Sequence, residues 1–184
     1  MKYPKLNILH DNRLFGRIET LLEELKLQGI TDYRIWDAIE DTNNVVRSIN
    51  ISHKQIVQDA KDKGLPFVVI GEDDLTFTSN KSWEYFLSNM PKQFDLYLAC
   101  TYCPPITNKK VCGFHLYAVG ESFYDKFLSV PETKHIDTAM DDLEGDYVFC
   151  YPFPALQKSG YSTNNKAVVN YNNVLSKDDI YLCF

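Results

Sequence analysis

Hydrophobic residues occur along the chain in two alternating patterns, which predict strands and helices in turn. Short runs rich in apolar residues, typical of buried strands, occur at residues 6–9, 33–36, 67–70, 94–99, 114–119 and 147–150. Between them, the spacing of apolar residues and the flanking residues predict helices over 13–27, 52–63, 81–88, 121–128 and 137–143. This alternation predicts an α/β fold with a mostly parallel central sheet.

The chain is predicted to form one domain. Its 184 residues suit a single core, and they include no repeat, low-complexity tract or Gly/Ser-rich linker. We therefore treat residues 1–184 as one unit. The tail after about residue 171 is predicted to be loose, because the segments 172–173 and 177–179 are polar.

Three consecutive carboxylates follow the most hydrophobic predicted strand. Glu72, Asp73 and Asp74 come directly after residues 67–70 and Gly71, at the end of the strand where α/β sheets bind ligands. Adjacent carboxylates repel one another, and Mg²⁺ or Mn²⁺ would relieve that repulsion while also binding substrate phosphates. The triplet therefore indicates a metal and diphosphate site, although a solvated acidic turn would have the same sequence.

The net charge limits the partners that the protein can bind. There are 19 Lys and Arg residues against 25 Asp and Glu residues, which gives a formal charge of −6. This balance argues against a general nucleic-acid or membrane-surface binder, because phosphate backbones are held mainly by clustered Lys and Arg. An anion can still be bound if a metal ion supplies the positive charge.

A cytoplasmic location is expected. The longest apolar run in the middle of the chain, residues 66–70, is far shorter than the roughly 20 residues of a membrane span. Residues 1–7 lack the apolar core of a signal peptide. Five cysteines, an odd number, predict reduced thiols rather than a disulfide framework. An acceptor lipid at the inner membrane face could still be reached from the cytoplasm without a spanning helix.

Several short motifs occur in a fixed order over most of the chain. In chain order they are Asn7 with Arg13, Ala38-Ile39, Ser52-His53, Ile70-Gly71-Glu72-Asp73-Asp74, the strand from Gly113 to Ala118 with Tyr117, Asp137, and Pro154 with Gln157 and Ser162. Together they resemble glycosyltransferase family 25, the lipopolysaccharide-type galactosyltransferases. The resemblance implies a GT-A-like, Rossmann-like α/β/α sandwich.

The resemblance also implies a reaction and a set of site residues. The reaction is the metal-dependent, inverting transfer of a hexose, galactose or glucose, from a UDP-sugar to a saccharide hydroxyl in glycan or lipopolysaccharide-type biosynthesis. Asp74 is implied as the main ligand of Mn²⁺ or Mg²⁺, with Asp73 and a late histidine, His135, as further ligands. The implied contacts to the nucleotide sugar are Asn7, Arg13, Ser52, His53, Glu72 and Asp73.

An inverting transfer needs a general base near the acceptor hydroxyl. The candidates are Asp137 and Asp141, with Asp142 behind them. Asp137 suits a helix N-cap equally well, and the two roles are compatible only if its second oxygen stays free. Ser52 suits a reciprocal cap with Gln55, which would place His53 in the first turn of a helix.

Two departures from the family pattern leave other functions open. Asn164 stands near Ser162, where the family has an acidic residue, and the chain is short on the acceptor side. The protein could act on a simple acceptor, need a partner protein, or be a catalytically inactive nucleotide- or sugar-binding relative. A nucleotidyltransferase is a third hypothesis, but the sequence shows no Gly-rich phosphate loop of the kind such an enzyme usually has. Zinc binding by Cys100, Cys103 and Cys112 is weighed against buried free thiols, which are favoured.

Overall fold

A six-stranded sheet forms the centre of the computed structural model, which describes residues 4–103 and 110–183. In chain order the strands are β1 (Leu6–His10), β2 (Tyr33–Asp37), β3 (Phe67–Glu72), β4 (Leu75–Phe77), β5 (Leu96–Leu98), β6 (Leu116–Gly120), β7 (Tyr147–Phe149), β8 (Ala155–Gln157), β9 (Gly160–Ser162) and β10 (Ala167–Val169). The α-helices are α1 (Arg17–Leu27), α2 (Val45–Asp62), α3 (Ser82–Ser88) and α4 (Tyr124–Ser129). Short 3₁₀ turns cover Glu121–Phe123, Thr138–Asp142, Tyr171–Val174 and Lys177–Asp179.

The strand order of the central sheet is β2-β1-β3-β6-β5-β7. Strand β6 runs antiparallel to both of its neighbours, and the pairs β1–β2, β1–β3 and β5–β7 are parallel. The predicted mostly parallel sheet is therefore confirmed. Two small antiparallel pairs, β4–β8 and β9–β10, lie outside it.

Two apolar layers cover the faces of the sheet. Helices α2 and α4 contribute Ile56 and Phe127 to one layer, and helices α1 and α3 contribute Leu21 and Phe86 to the other. Successive residues of β3 alternate between the layers, as a pleated strand requires. The result is an α/β/α sandwich in which the carboxyl ends of β1 and β3 lie side by side.

Two helices begin at different residues from those predicted. Helix α2 begins at Val45, where the Asn44 side chain accepts a hydrogen bond from the Arg47 N–H (3.0 Å). Ser52 is therefore mid-helix, and its prediction as an N-cap is wrong. Its hydroxyl donates to the carbonyl of Ser48 four residues earlier (2.7 Å) and accepts from the Ile39 N–H (2.8 Å).

Helix α1 begins at Arg17 rather than at Arg13. A turn precedes it, because the Asp11 carboxylate accepts hydrogen bonds from both the backbone and the side chain of Arg13. Gly16 then has φ +82°, a left-handed conformation that favours glycine. This turn places Arg13 and Arg17 on either side of a bend at the end of β1.

The segment after residue 171 packs back onto the sandwich in the described residues. The Tyr181 ring stacks on Tyr85 with centroids 3.9 Å apart, and Ile180 pairs with Phe153 in an isolated bridge. Within residues 4–103 and 110–183, no helix combines the length and apolarity needed to cross a membrane.

Candidate functional site

A cleft opens at the carboxyl ends of β1 and β3. Most residues implied for the site line it, namely Arg13, Ser52, His53, Glu72, Asp73, Asp74, His135 and Asp137. Asn7 and Asp141 do not line it. The structure therefore brings together side chains from the first third, the middle and the last third of the chain.

Asp73 is buried at the first position of the turn after β3, and other groups engage both of its oxygens. Its Oδ2 accepts from His10 Nδ1 (2.8 Å) and from the Asp11 N–H (2.9 Å). Its Oδ1 accepts from Arg17 Nη1 (2.8 Å). Any further ligand of Asp73 must share or displace one of these donors.

Asp74 differs from Asp73 because one of its oxygens has no partner. Its Oδ2 accepts from Arg17 Nη1 (3.1 Å) and Gln157 Nε2 (2.9 Å). Its Oδ1 is buried without a hydrogen-bond partner among the described residues. Burial, together with the negative charge of Glu72, raises the pKa of Asp74 to about 7. Buried oxygens without partners are rare, and each marks a place where a proton, water or ion would be stabilised.

Arg17 is the residue that joins both aspartates of this cluster, and the sequence predicted neither it nor His10. Arg17 bonds to both aspartates, and its Nη2 donates to the Tyr161 carbonyl in β9 (2.5 Å). Burial opposes its charge, but the carboxylates of Asp74 and Asp73 outweigh that effect and raise the pKa of Arg17. No local pattern marks Arg17, because its acidic partners lie 56 and 57 positions away in the sequence.

Glu72 and Tyr117 both contact His53 at the base of the cleft. Glu72 Oε1 lies 3.1 Å from His53 Nε2, and His53 Nδ1 lies 2.7 Å from the Tyr117 hydroxyl. Burial raises the pKa of Glu72, but the hydrogen bond and charge of His53 outweigh burial and leave this pKa lowered. His53 is in the interior of α2 and 2% exposed, so the prediction of a first-turn position is wrong.

The two candidate bases mainly hold the backbone. Asp137 accepts from the Thr138 N–H through Oδ1 (2.8 Å) and from the Gly113 N–H through Oδ2 (3.0 Å). The N-cap interpretation of Asp137 is thus confirmed, and its second oxygen is occupied. Asp141 accepts from the Val111 N–H (2.8 Å). Asp142 pairs with Lys134 at the surface (2.6 Å).

The remaining predicted residues have different surroundings. Arg13 reaches the cleft beside Asp11, with two hydrogen bonds of 2.7 Å to that carboxylate. Asn7 instead joins strands, because its side chain donates to the Val69 carbonyl (3.1 Å) and accepts from Trp36 Nε1 (3.0 Å). His115 is a buried residue directly before β6, and its Nε2 bonds to the Ala155 carbonyl (3.2 Å).

Aromatic and amide side chains form another part of the cleft wall. The rings of Tyr102 and Tyr171 lie 5.6 Å apart, and the Tyr102 hydroxyl accepts from the Gln157 N–H (2.7 Å). The segment from Ser162 to Asn164, between β9 and β10, lines the same wall. The sequence predicted Gln157 and Ser162 through the family resemblance, but it did not place the two tyrosines.

The described side chains offer few donors for a metal ion. No group of three His, Cys, Asp or Glu side chains is arranged to hold a metal ion within residues 4–103 and 110–183. None of the five cysteines, all of which the structure describes, forms a disulfide, and of these Cys100 and Cys150 are buried, Cys103 and Cys112 half-buried and Cys183 exposed. The donors that fit a cation are the unpartnered Asp74 oxygen and the substrate phosphates that commonly complete a Mg²⁺ site.

The chain is similar to glycosyltransferases in fold. It superimposes on the structure of Drosophila β-1,4-galactosyltransferase 7 in complex with manganese, UDP-Gal and xylobiose, with a TM-score of 0.50 and 13% identity over 99% of this chain and 77% of that chain. It is also similar, with a TM-score of 0.49 and 12% identity, to a glycosyltransferase involved in the glycosylation of the major capsid of PBCV-1, over 79% of this chain and 81% of that chain. No protein-family model and no curated protein sequence matches it. The predicted GT-A-like fold is confirmed.

Proposed function

We propose that the protein is a glycosyltransferase that moves a hexose, galactose or glucose, from a UDP-sugar to a saccharide hydroxyl. The observation that supports this proposal is the acidic turn at the end of β3, which lies in a cleft of a GT-A-like fold and leaves a buried Asp74 oxygen without a partner. Membership of family 25 rests on the ordered motifs, several of which meet in that cleft. A role in glycan or lipopolysaccharide-type biosynthesis follows from the same motifs.

A divalent cation, Mn²⁺ or Mg²⁺, fits this cleft through few protein ligands. Asp74 would hold it through Oδ1, with His135 as a further ligand from the same cleft. Asp73 could contribute only by sharing Oδ1 with Arg17 or by displacing one of its donors. When bound, such a cation neutralises the charge that builds on a departing diphosphate.

The residues of the chain itself would bind and orient the two substrates. Arg13 and Arg17 line the cleft and offer positive charge to the diphosphate. The Tyr102 and Tyr171 rings offer apolar surface to a base or a sugar ring. Asp137 is the better candidate for the general base, because it lines the cleft and Asp141 does not. To act, it would have to use the second lone pair of an oxygen that already accepts a backbone N–H, or release that N–H.

A non-catalytic nucleotide- or sugar-binding protein is the second candidate function. Two observations favour it: both Asp137 oxygens are occupied, and Asn164 lines the cleft near the position where an acidic residue was expected. Such a protein would bind UDP-sugars in the same place without turning them over.

The deciding experiment is calorimetry of UDP binding with and without Mn²⁺. We expect Mn²⁺ to strengthen UDP binding to the natural protein and to have no such effect on Asp74→Asn. Asp178→Asn, which changes an exposed carboxylate outside the cleft, is the control and should keep the Mn²⁺ effect. Equal UDP affinity in Asp74→Asn, or no dependence on Mn²⁺, would contradict the proposal.

Turnover separates the two candidate functions. UDP release from UDP-galactose or UDP-glucose, with water as the simplest acceptor, should be slow but measurable and should disappear in Asp74→Asn. Tight binding of both UDP-sugars without any UDP release over many hours would instead favour the binding protein.

A further inference from the structure

Three residues from separate motifs form one hydrogen-bonded chain below the cleft. Tyr117 in β6 contacts His53 in α2, and His53 contacts Glu72 at the end of β3, over distances of 2.7 and 3.1 Å. Tyr117 is fully buried and His53 is 2% exposed, whereas 27% of the Glu72 side chain is exposed. These three hydrogen-bonded side chains thus lead from the core of the sandwich to the surface of the cleft.

Chemistry fixes the direction of the hydrogen bond between His53 and Glu72. An ionised carboxylate can only accept hydrogen bonds, so the proton between His53 and Glu72 belongs to His53 Nε2. Nδ1 of His53 lies against the Tyr117 hydroxyl, which can accept a hydrogen bond from a protonated Nδ1 or donate one to an unprotonated Nδ1. Tyr117 therefore holds the imidazole ring from the side opposite Glu72, with Nε2 directed at the carboxylate.

Part of the surface of the Tyr117 and His53 rings is covered by an aromatic side chain. Phe114 stacks on Tyr117 with ring centroids 4.0 Å apart and lies 5.9 Å from His53. Hydrogen bonds in such an apolar setting are strengthened, and an unpaired member would be costly. A phenylalanine at 117 would occupy nearly the same volume without needing a partner. The Tyr117 hydroxyl contributes what the ring alone does not, which is a hydrogen bond to the His53 ring.

We propose that Tyr117 and His53 are positioning residues that hold the Glu72 carboxylate at the edge of the cleft, where Glu72 accepts a hydrogen bond from a hydroxyl group of the nucleotide sugar. Glu72 lines the cleft, and its Oε2 accepts no hydrogen bond from the described residues, while Oε1 is fixed by His53. A carboxylate held in this way has already lost its rotational freedom before the ligand binds. The inference rests on the proposed function, since it takes a nucleotide sugar as the ligand.

The first test needs no nucleotide. The chain contains four histidines, so ¹⁵N NMR of selectively labelled protein can follow His53 and assign it with His53→Gln. We expect the Nε2–H proton of His53 to be held by Glu72 in the natural protein and to exchange faster with solvent in Tyr117→Phe, because the imidazole ring is then held from one side only. Tyr124→Phe is the matched control, because it removes a hydroxyl that bonds to the Leu65 carbonyl (3.0 Å) away from the cleft. An unchanged exchange rate of the His53 Nε2–H in Tyr117→Phe would overturn the proposal.

The second test asks whether Tyr117 acts through Glu72. We expect Tyr117→Phe to weaken UDP-glucose binding by about 3- to 10-fold, as the loss of one well-placed hydrogen bond does, and to have no effect in a Glu72→Ala background. Equal weakening in both backgrounds would show a merely structural role and overturn the proposal.

The two tests also distinguish this proposal from the proposed function. If the natural protein bound no UDP-glucose, the proposed function would fail and the assignment of Glu72 to a nucleotide-sugar hydroxyl would fall with it. The NMR result would still decide whether Tyr117 helps to hold the Nε2–H of His53 on Glu72. His53→Gln, whose amide can donate from near the Nε2 position, should retain more affinity than His53→Ala.

Discussion

Two acidic segments of the chain look alike in sequence but have different surroundings. In the turn after β3, the carboxylates of Asp73 and Asp74 are held mainly by side chains, above all Arg17, and one Asp74 oxygen has no partner. Near the Thr138–Asp142 turn, Asp137 and Asp141 accept hydrogen bonds from backbone N–H groups. Backbone donors cannot leave without unfolding a loop, whereas side-chain donors can rotate away. The first segment is therefore suited to ligands and the second to holding the structure.

Of the variants that test this contrast, Arg17→Ala is expected to have the largest effect on stability. It leaves two buried carboxylates without their cation, so we expect the free energy of unfolding to fall by about 3 kcal/mol at pH 8. The loss should shrink near pH 5, where Asp74, whose pKa is about 7, is mostly protonated. Urea denaturation at both pH values measures it. A loss of the same size at both would mean that Arg17 acts through packing rather than charge.

Asp74→Asn should stabilise the folded protein at pH 8 by about 1 to 3 kcal/mol. Folding raises the pKa of Asp74 from 3.8 to about 7, so the folded state binds more protons than the unfolded state between those values. Stability therefore falls as the pH rises from about 4 to 7 and is lowest above 7. Thermal unfolding of the natural protein and Asp74→Asn across this range checks the prediction, and a pH-independent difference would contradict it. The same variant should lose Mn²⁺-dependent UDP binding.

Asp141→Ala should have the smallest effect, a loss of about 1 kcal/mol in the free energy of unfolding, because the Val111 N–H loses its acceptor. UDP affinity should stay unchanged, since Asp141 does not line the cleft. Asp142→Ala removes only a surface ion pair with Lys134 and serves as the control, with an effect near zero. A marked loss of UDP affinity in Asp141→Ala would assign this segment to the binding site after all.

Local pattern predicted most of the sandwich. The apolar run at residues 67–70 became β3, and the acidic triplet came where a strand end meets the cleft. The start of α2 was missed because Ser52 and Gln55 imitate a cap, although Asn44 caps the helix eight residues earlier. Caps depend on two or three side chains, so a helix interior can contain a cap-like sequence by chance.

The contacts within the site could not be predicted from local pattern. The sequence gives no sign that Arg17 would reach the acidic turn, because that contact depends on how α1 leaves the sheet after Gly16. The backbone partners of Asp137 and Asp141 depend in the same way on the chain around residues 111–113. Charge and spacing identify candidate carboxylates, but only the folded structure shows which donors they face.

The three hydrogen bonds of Arg17 also bear on the order in which the molecule assembles. They join positions separated by 56, 57 and 144 residues along the chain. Contacts between such distant positions carry a high loop-closure entropy and form late in folding. The β1–β2 pair involves residues only about 27 positions apart and can form earlier. By this measure the bonds to Asp73 and Asp74 are no more distant than the β1–β3 pair, in which Leu6 and Val69 lie 63 positions apart, and only the bond to Tyr161 is expected to form after the central strands have paired.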